Sequence, residues 1–271
     1  MNELNPATIG LDRVRDVTGK TKIIEFIGPP GIGKSTLHLA LCKQWSSKSN
    51  WVFPEYLLSG WSSRSSVKFW ANYHLRKIFS RPVKSVPVEY GLKYIENNKP
   101  LAEFLWNHIS GKAVYDFDEI GKRFRSAYFL FNNFSNYQAI WDAHYAKPCL
   151  VDEGLLEKSF LILEDEQAIV DLIEEYLPLL PLPQGVVYLN TPDTGVIVER
   201  LLHRPKVIAS HAGKNKAQLE KDIERWQFYF NIIINQLKQL NIPVYSIDAL
   251  KPVREKVHLV NELLKPSGNF L

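Results

Sequence analysis

The sequence carries Gly28-Pro29-Pro30-Gly31-Ile32-Gly33-Lys34-Ser35, which fills every fixed position of the phosphate-binding pattern G-x-x-x-x-G-K-[ST]. Residues 22–27 before it form a short apolar run typical of a buried strand, and residues 36–45 after it are typical of a helix. The glycines let successive backbone N–H groups point inward, and the helix N-terminus adds partial positive charge. The segment therefore predicts a strand, a P-loop and a helix that bind phosphate.

Two residues of this segment have a specific expected ligand. The Lys34 ammonium should reach the β- and γ-phosphates of ATP, and the Ser35 hydroxyl should bind Mg²⁺. The alternative is a chance Gly/Pro turn, against which both correct flanks argue. The residues expected to bind the nucleotide are Gly28, Gly31, Ile32, Gly33, Lys34, Ser35 and Thr36.

A second phosphate-site element lies about 120 residues further along. Residues 148–151 predict an apolar strand that ends in Asp152-Glu153-Gly154, the arrangement of a Walker B motif. Asp152 should hold Mg²⁺ through water on the strand next to the P-loop. A strand that merely ends in a polar turn is the alternative.

Composition limits the function classes. The 271 residues are 45% hydrophobic and 23% charged, the balance of a globular protein. The net charge of +4 is too small to indicate a nucleic-acid ligand, and no apolar run is long enough for a membrane span. Only two cysteines, Cys42 and Cys149, are present, so we expect reduced thiols in a cytoplasmic protein.

Aromatic-rich helical segments at residues 67–79, 88–96 and 101–109 interrupt the alternation of strands and helices. This region is too long for a simple connection and predicts a helical lobe for the phosphoryl acceptor. A long helix at 118–145 follows, with Arg123 and Arg125 beside its apolar stripe, where they are candidates to bind the acceptor. A pair of surface arginines is the alternative.

The remaining elements complete an α/β pattern. We expect strands at 50–55, with Glu55 at the carboxyl end, at 186–190 and at 243–248, and helices at 164–177, 217–240 and 253–264. Thr191 or Asp193 should cap a helix that contains Arg200 and Arg204. From residue 200 to 216 the charged side chains are all basic, which favours a mobile lid over the phosphates, with a solvated charged surface as the alternative.

The predicted fold is an α/β P-loop NTPase three-layer sandwich, with a parallel sheet of about five strands flanked by helices. We expect one domain over residues 1–271, of the kind found in P-loop kinases, which the chain resembles. Residues 22–58 and 118–264 make the nucleotide-binding core, 59–117 the helical acceptor lobe and 198–217 the lid.

With these motifs the chain resembles the P-loop kinases of the thymidylate kinase and deoxynucleoside kinase group. The P-loop carries the resemblance, together with residues 52–55 followed by Trp61 and residues 190–193 running into Arg200 and Arg204. The resemblance implies that Glu55 is the general base, that Trp61 lies at the acceptor, and that the arginines belong to the lid. Asp152-Glu153-Gly154 departs from the Glu-Arg-Ser of deoxynucleoside kinases.

Together these features predict an ATP- and Mg²⁺-dependent small-molecule kinase that phosphorylates a hydroxyl or phosphate acceptor, nucleoside-like, nucleotide-like or sugar. Glu55 or Glu153 would accept the proton, and Arg200 or Arg204 would neutralise the transferred phosphoryl group. A homodimer is compatible with this prediction. The alternative is a nucleotide-dependent switch or NTPase that acts with a protein partner through the helical lobe.

Overall fold

The computed structural model of the chain describes residues 20–59, 71, 75, 86–111, 120–158, 165–204, 211 and 213–265. Two compact units make up the chain. Unit 1 comprises Met1–Ile23, Ser47–Val151 and Leu179–Pro181, and unit 2 comprises Ile24–Ser46, Asp152–Pro178 and Leu182–Leu271. The predicted division into core, acceptor lobe and lid stays a prediction.

A four-stranded parallel sheet has the order β2-β1-β3-β4. Its strands are β1 (Ile23–Ile27), β2 (Cys149–Val151), β3 (Gly185–Asn190) and β4 (Val244–Asp248). Ile24 lies opposite Gly185, and Val186 lies opposite Val244. Because ligands of such sheets bind beyond the carboxyl ends of the strands, a binding site is expected among the segments that follow β1, β2 and β3.

The predicted strand at 50–55 is wrong. In the described part of the chain it is reduced to one parallel bridge, between Val52 and Cys149, so the sheet has four strands there and not five. Helix α2 (Pro54–Ser59) begins instead and places Glu55 in its first turn. The reason is Pro54, which has no N–H for a sheet ladder and whose fixed φ suits the start of a helix.

Three of the helices of unit 1 match the predicted positions. They are α3 (Val88–Asn97), α4 (Lys99–Ser110) and α5 (Ile120–Asp142). Fully buried Tyr94 of α3 stacks on Phe134 and Trp141 of α5, with ring centroids 4.6 and 5.4 Å apart. A side chain at Gly91 would collide with Phe131, so this glycine lets α3 approach α5 closely. Of the predicted helix at 67–79, only Ala71 and Leu75 lie within the described residues.

Unit 2 contains the helix after the P-loop and the helices of the carboxyl-terminal half. Asp193 caps helix α7 (Thr194–Leu202) by accepting a hydrogen bond from Val196 N at 3.3 Å, and Asn215 with Gln218 forms a capping box at the start of helix α8 (Lys216–Gln239). The cap expected at Thr191 or Asp193 is therefore Asp193. These helices are α1 (Lys34–Gln44), α6 (Glu166–Tyr176), α7 (Thr194–Leu202), α8 (Lys216–Gln239) and α9 (Val253–Leu263).

Among the described residues, no helix combines the length and hydropathy needed to cross a lipid bilayer. The predicted lid lies only partly within these residues, because 205–210 and 212 fall outside them. Trp61, the aromatic residue expected at the acceptor, also falls outside them.

Candidate functional site

The loop between β1 and α1 has the geometry that glycine permits. Gly31 has φ +83°, and a Cβ there would lie 2.7 Å from Leu201 Cδ2 of α7. A Cβ on Gly28 would lie 2.5 Å from the backbone oxygen of Leu189 in β3. Because the loop lies against β3 and α7 at these two positions, larger residues do not fit. Gly33 is the N-cap residue of α1, and Ile32 is fully buried in the loop.

Lys34, Ser35 and Thr36 form the first turn of α1. The Ser35 and Thr36 side chains are exposed, whereas Lys34 is only 7% exposed. The Lys34 ammonium donates hydrogen bonds to the carbonyl oxygens of Gly28, at 2.5 Å, and Pro29, at 3.3 Å. Lys34 is thereby folded back over the loop that precedes it.

An unpredicted carboxylate completes the surroundings of Lys34. Glu157 Oε1 lies 2.8 Å from Lys34 Nζ, and its side chain is only 10% exposed. Burial raises the pKa of the Glu157 carboxyl from 4.5 to about 7, although the neighbouring Lys34 ammonium opposes the shift. Glu153 raises this pKa further, and Lys158 lowers it. The P-loop lysine therefore has a carboxylate partner that titrates near neutral pH.

The Walker B acids follow β2, which is the neighbour of β1 in the sheet. Glu153 is exposed, and Asp152 is partly buried. Within the part of the chain that the structure describes, two buried carboxylate oxygens of this segment, Asp152 Oδ1 and Glu157 Oε2, have no hydrogen-bond partner. Buried polar atoms are nearly always paired, so these two unpaired oxygens indicate a place for a cation or a proton donor.

A buried acid in β1 anchors the segment that contains these groups. Glu25 is 1% exposed, and its carboxylate accepts hydrogen bonds from Leu155 N at 3.3 Å and Leu156 N at 3.1 Å. The hydroxyls of Tyr176 and Tyr229 donate to the carbonyl oxygens of Leu155 and Leu156, at 2.7 and 3.1 Å. Strand β1 and helices α6 and α8 thus fix the backbone between Asp152 and Glu157.

Two groups next to this segment, Tyr229 and Lys158, have shifted pKa values. Burial raises the pKa of the Tyr229 hydroxyl well above its usual value, and the charges of Glu157 and Glu25 raise it further. Burial lowers the pKa of the Lys158 ammonium, while Glu25, Glu153 and Glu157 oppose that shift. The segment after β2 therefore contains interacting titratable groups, namely Glu153, Glu157 and Lys158, which lie close to Glu25 and Tyr229.

Helix α7 contacts the loop from another direction. Arg200 Nη1 donates a hydrogen bond to the Ile32 carbonyl oxygen at 3.3 Å, and Ile197 and Leu201 pack against Gly31. Arg204 lies just after the end of α7 and is exposed. Of the two predicted lid arginines, Arg200 is the one that contacts the loop in the described residues.

The expected acceptor residues lie in unit 1. Glu55 is exposed in the first turn of α2, so its expected position at a strand end was wrong. Arg123 donates to the Ser110 carbonyl oxygen at 3.1 Å, and the exposed Arg125 guanidinium lies over the Phe129 ring at 5.6 Å. Both arginines thus have contacts within the helical unit.

Sequence reasoning missed Glu25 and Glu157. Glu25 could have been noticed in the sequence, because it is the one charged residue in the apolar strand Ile23–Ile27. Glu157 could not, since its proximity to Lys34 depends on how the segment after β2 is anchored. Models of known protein families give no match to this chain, and a search of curated proteins found no similar sequence.

Proposed function

We propose that this chain is an ATP-dependent phosphotransferase that transfers the γ-phosphoryl group to a small-molecule acceptor. The observation that supports it best is the arrangement around Lys34, where this buried lysine lies 2.8 Å from the carboxylate of Glu157, a residue of the segment after β2. In phosphoryl transfer a protein acts chiefly by positioning the reactants and neutralising charge. A buried lysine in a glycine-rich loop is suited to neutralising charge on the phosphates.

The residues present suit Mg²⁺. Asp152 contributes a buried oxygen that has no hydrogen-bond partner among the described residues, and Ser35 contributes an exposed hydroxyl. Carboxylate and hydroxyl oxygens are ligands that Mg²⁺ accepts, with phosphate and water filling the other positions. When bound, the ion would neutralise charge on the β- and γ-phosphates. The protein's part is to hold Asp152 in place through the Glu25 anchor.

We assign the proton-accepting role to Glu153 in preference to Glu55. Glu153 is exposed and adjoins Asp152 in the segment that also carries Glu157, the partner of Lys34. Arg200, which already donates to the loop, would neutralise charge on the transferred phosphoryl group. Arg204, Arg123, Arg125 and Trp61 stay candidates for lid and acceptor contacts, and the acceptor class stays a nucleoside-like, nucleotide-like or sugar compound.

A second candidate is a nucleotide-dependent switch or NTPase that acts with a protein partner. Ile120, Phe124 and Tyr128 are 66%, 72% and 64% exposed and recur every four residues on α5. Such a stripe on one helix face favours contact with another macromolecule. This candidate predicts ATP hydrolysis that does not depend on a small acceptor.

The test is transfer of labelled γ-phosphate from ATP to a pooled panel of acceptors. Lys34→Ala should reduce transfer by at least about 100-fold, because it removes a charge that binds the transferred group. Glu153→Gln should lower turnover more than Glu55→Gln does. Lys43→Ala, which changes an exposed lysine of the same helix, is the matched control.

Label on one acceptor class, lost in Lys34→Ala, supports the kinase. Hydrolysis that depends on Lys34 and is indifferent to every acceptor supports the second candidate. If neither transfer nor hydrolysis differs between Lys34→Ala and Lys43→Ala, the loop does not serve ATP chemistry and the proposal fails.

A further inference from the structure

We propose that Glu157 competes with phosphate for Lys34, so that a polyphosphate chain binds the loop by displacing the Glu157 carboxylate from the lysine ammonium. The inference rests on the proposed function, since it concerns the lysine assigned to the phosphates of ATP. It gives Glu157 a role of its own, that of a residue which sets the affinity of the loop for phosphate.

The first step is the hydrogen-bonding capacity of Lys34. An ammonium group has three N–H donors. Lys34 Nζ lies within hydrogen-bond distance of three oxygens, those of Gly28, Pro29 and the Glu157 carboxylate. A phosphate oxygen must therefore replace one of them. The two carbonyls are neutral, whereas the carboxylate carries the same sign of charge as phosphate and is the partner that a phosphate repels.

The second step is the position of Glu157 after the exchange. Its side chain is 10% exposed, so water does little to stabilise the carboxylate once Lys34 has turned to phosphate. Glu153 repels it, and two further groups lie nearby, the carboxylate of Glu25 in β1 and the neutral hydroxyl of Tyr229 in α8. In the described residues Lys158 is the remaining cation that acts on it, and burial lowers the pKa of Lys158.

The third step is a proton. Without Lys34 the ionised Glu157 loses its main stabilising charge, so the carboxyl takes up a proton from solvent as phosphate binds. With a starting pKa of about 7, the carboxyl is mostly ionised at pH 8 and mostly protonated at pH 6. Competition should therefore be strong at pH 8 and weak at pH 6.

The experiment is titration calorimetry of the full chain with inorganic tripolyphosphate, in EDTA and without Mg²⁺, at pH 6 and pH 8. At pH 8 Glu157→Gln should bind tripolyphosphate about tenfold more tightly than the unmodified chain, because a charge-assisted hydrogen bond no longer has to be broken. The difference should shrink at pH 6. Glu174→Gln, an exposed glutamate of α6, is the matched control.

A second measurement counts protons in place of affinity. Titrations of the unmodified chain at pH 8 in two buffers of different ionisation enthalpy report protons taken up on binding. Uptake that disappears in Glu157→Gln supports the proposal. Unchanged or weaker binding by a folded Glu157→Gln chain at pH 8, or no proton uptake by the unmodified chain, overturns it.

Failure of the proposed function has a different signature. If Lys34→Ala binds tripolyphosphate as tightly as the unmodified chain, the loop is not the phosphate site, and both proposals fall. If Lys34→Ala loses binding while Glu157→Gln leaves affinity unchanged, the phosphate site stands and the role of Glu157 alone is refuted.

Discussion

Replacing Glu157 with glutamine should change how the stability of this protein depends on pH. The carboxyl is 10% exposed, and burial raises its pKa from 4.5 to about 7 in the folded chain, with Lys34 opposing the shift. A raised pKa means that the folded state binds the proton more tightly than the unfolded state does. Glu157 therefore contributes stability that is complete below pH 4.5 and is lost as the pH rises through about 7.

The magnitude follows from the two values. The difference between a pKa of 4.5 and one of about 7 corresponds to about 3 kcal/mol of unfolding free energy. Glutamine at position 157 does not ionise, so Glu157→Gln removes this dependence. The free energy of unfolding of the variant minus that of the unmodified chain should rise by about 3 kcal/mol between pH 4 and pH 8.

Urea unfolding followed by circular dichroism at intervals of half a pH unit measures this difference. Titrating groups distant from residue 157 are common to both chains and cancel in the subtraction. The control is again Glu174→Gln, which changes an exposed glutamate of α6 and gives the reference against which the Glu157→Gln difference is compared. The reasoning is refuted if the Glu157→Gln curve runs parallel to that of the unmodified chain, or if the difference falls as the pH rises.

Two further predictions concern packing. Gly31→Val should destabilise the chain by about 2 kcal/mol or more, because the position has φ +83° and its Cβ would lie 2.7 Å from Leu201. Adding Leu201→Ala should recover the part of the loss that is due to the clash with Leu201, and not the part that is due to the positive φ. If the urea midpoints of this double-mutant cycle show no coupling between the two positions, the contact is contradicted. Tyr94→Ala should cost about 3–5 kcal/mol by thermal unfolding, since the buried ring stacks on Phe134 and Trp141. A loss no larger than that of Tyr94→Phe would show that the stack is unimportant.

Local patterns in the sequence predicted most of the described elements. The helix expected at 88–96 is Val88–Asn97, and the strand expected at 186–190 is Gly185–Asn190. Hydrophobic periodicity works here because each element buries one continuous face or run. It failed at residues 50–55, where apolar composition suggested a strand and the single residue Pro54 determined that a helix begins.

The candidate site was predictable only where its chemistry is local. The P-loop is contiguous, so its glycines and Lys34 could be identified from spacing. Glu25 and its hydrogen-bond donor Leu156 are 131 positions apart, and the pair of Lys34 with Glu157 also joins distant segments. No periodicity connects such residues, because what brings them together is the order of the strands and the anchoring of one loop.

The hydrogen bonds of Glu25 limit which sequence changes the segment after β2 can accept. The Glu25 carboxylate recognises two consecutive backbone amides, those of Leu155 and Leu156, and backbone amides are the same in every residue type except proline. These hydrogen bonds therefore depend on the number of residues between β2 and Leu155, and they do not depend on most of the side chains in that segment. One residue inserted between β2 and Leu155 would therefore displace Glu157 from Lys34 even though no side chain of the site had been changed.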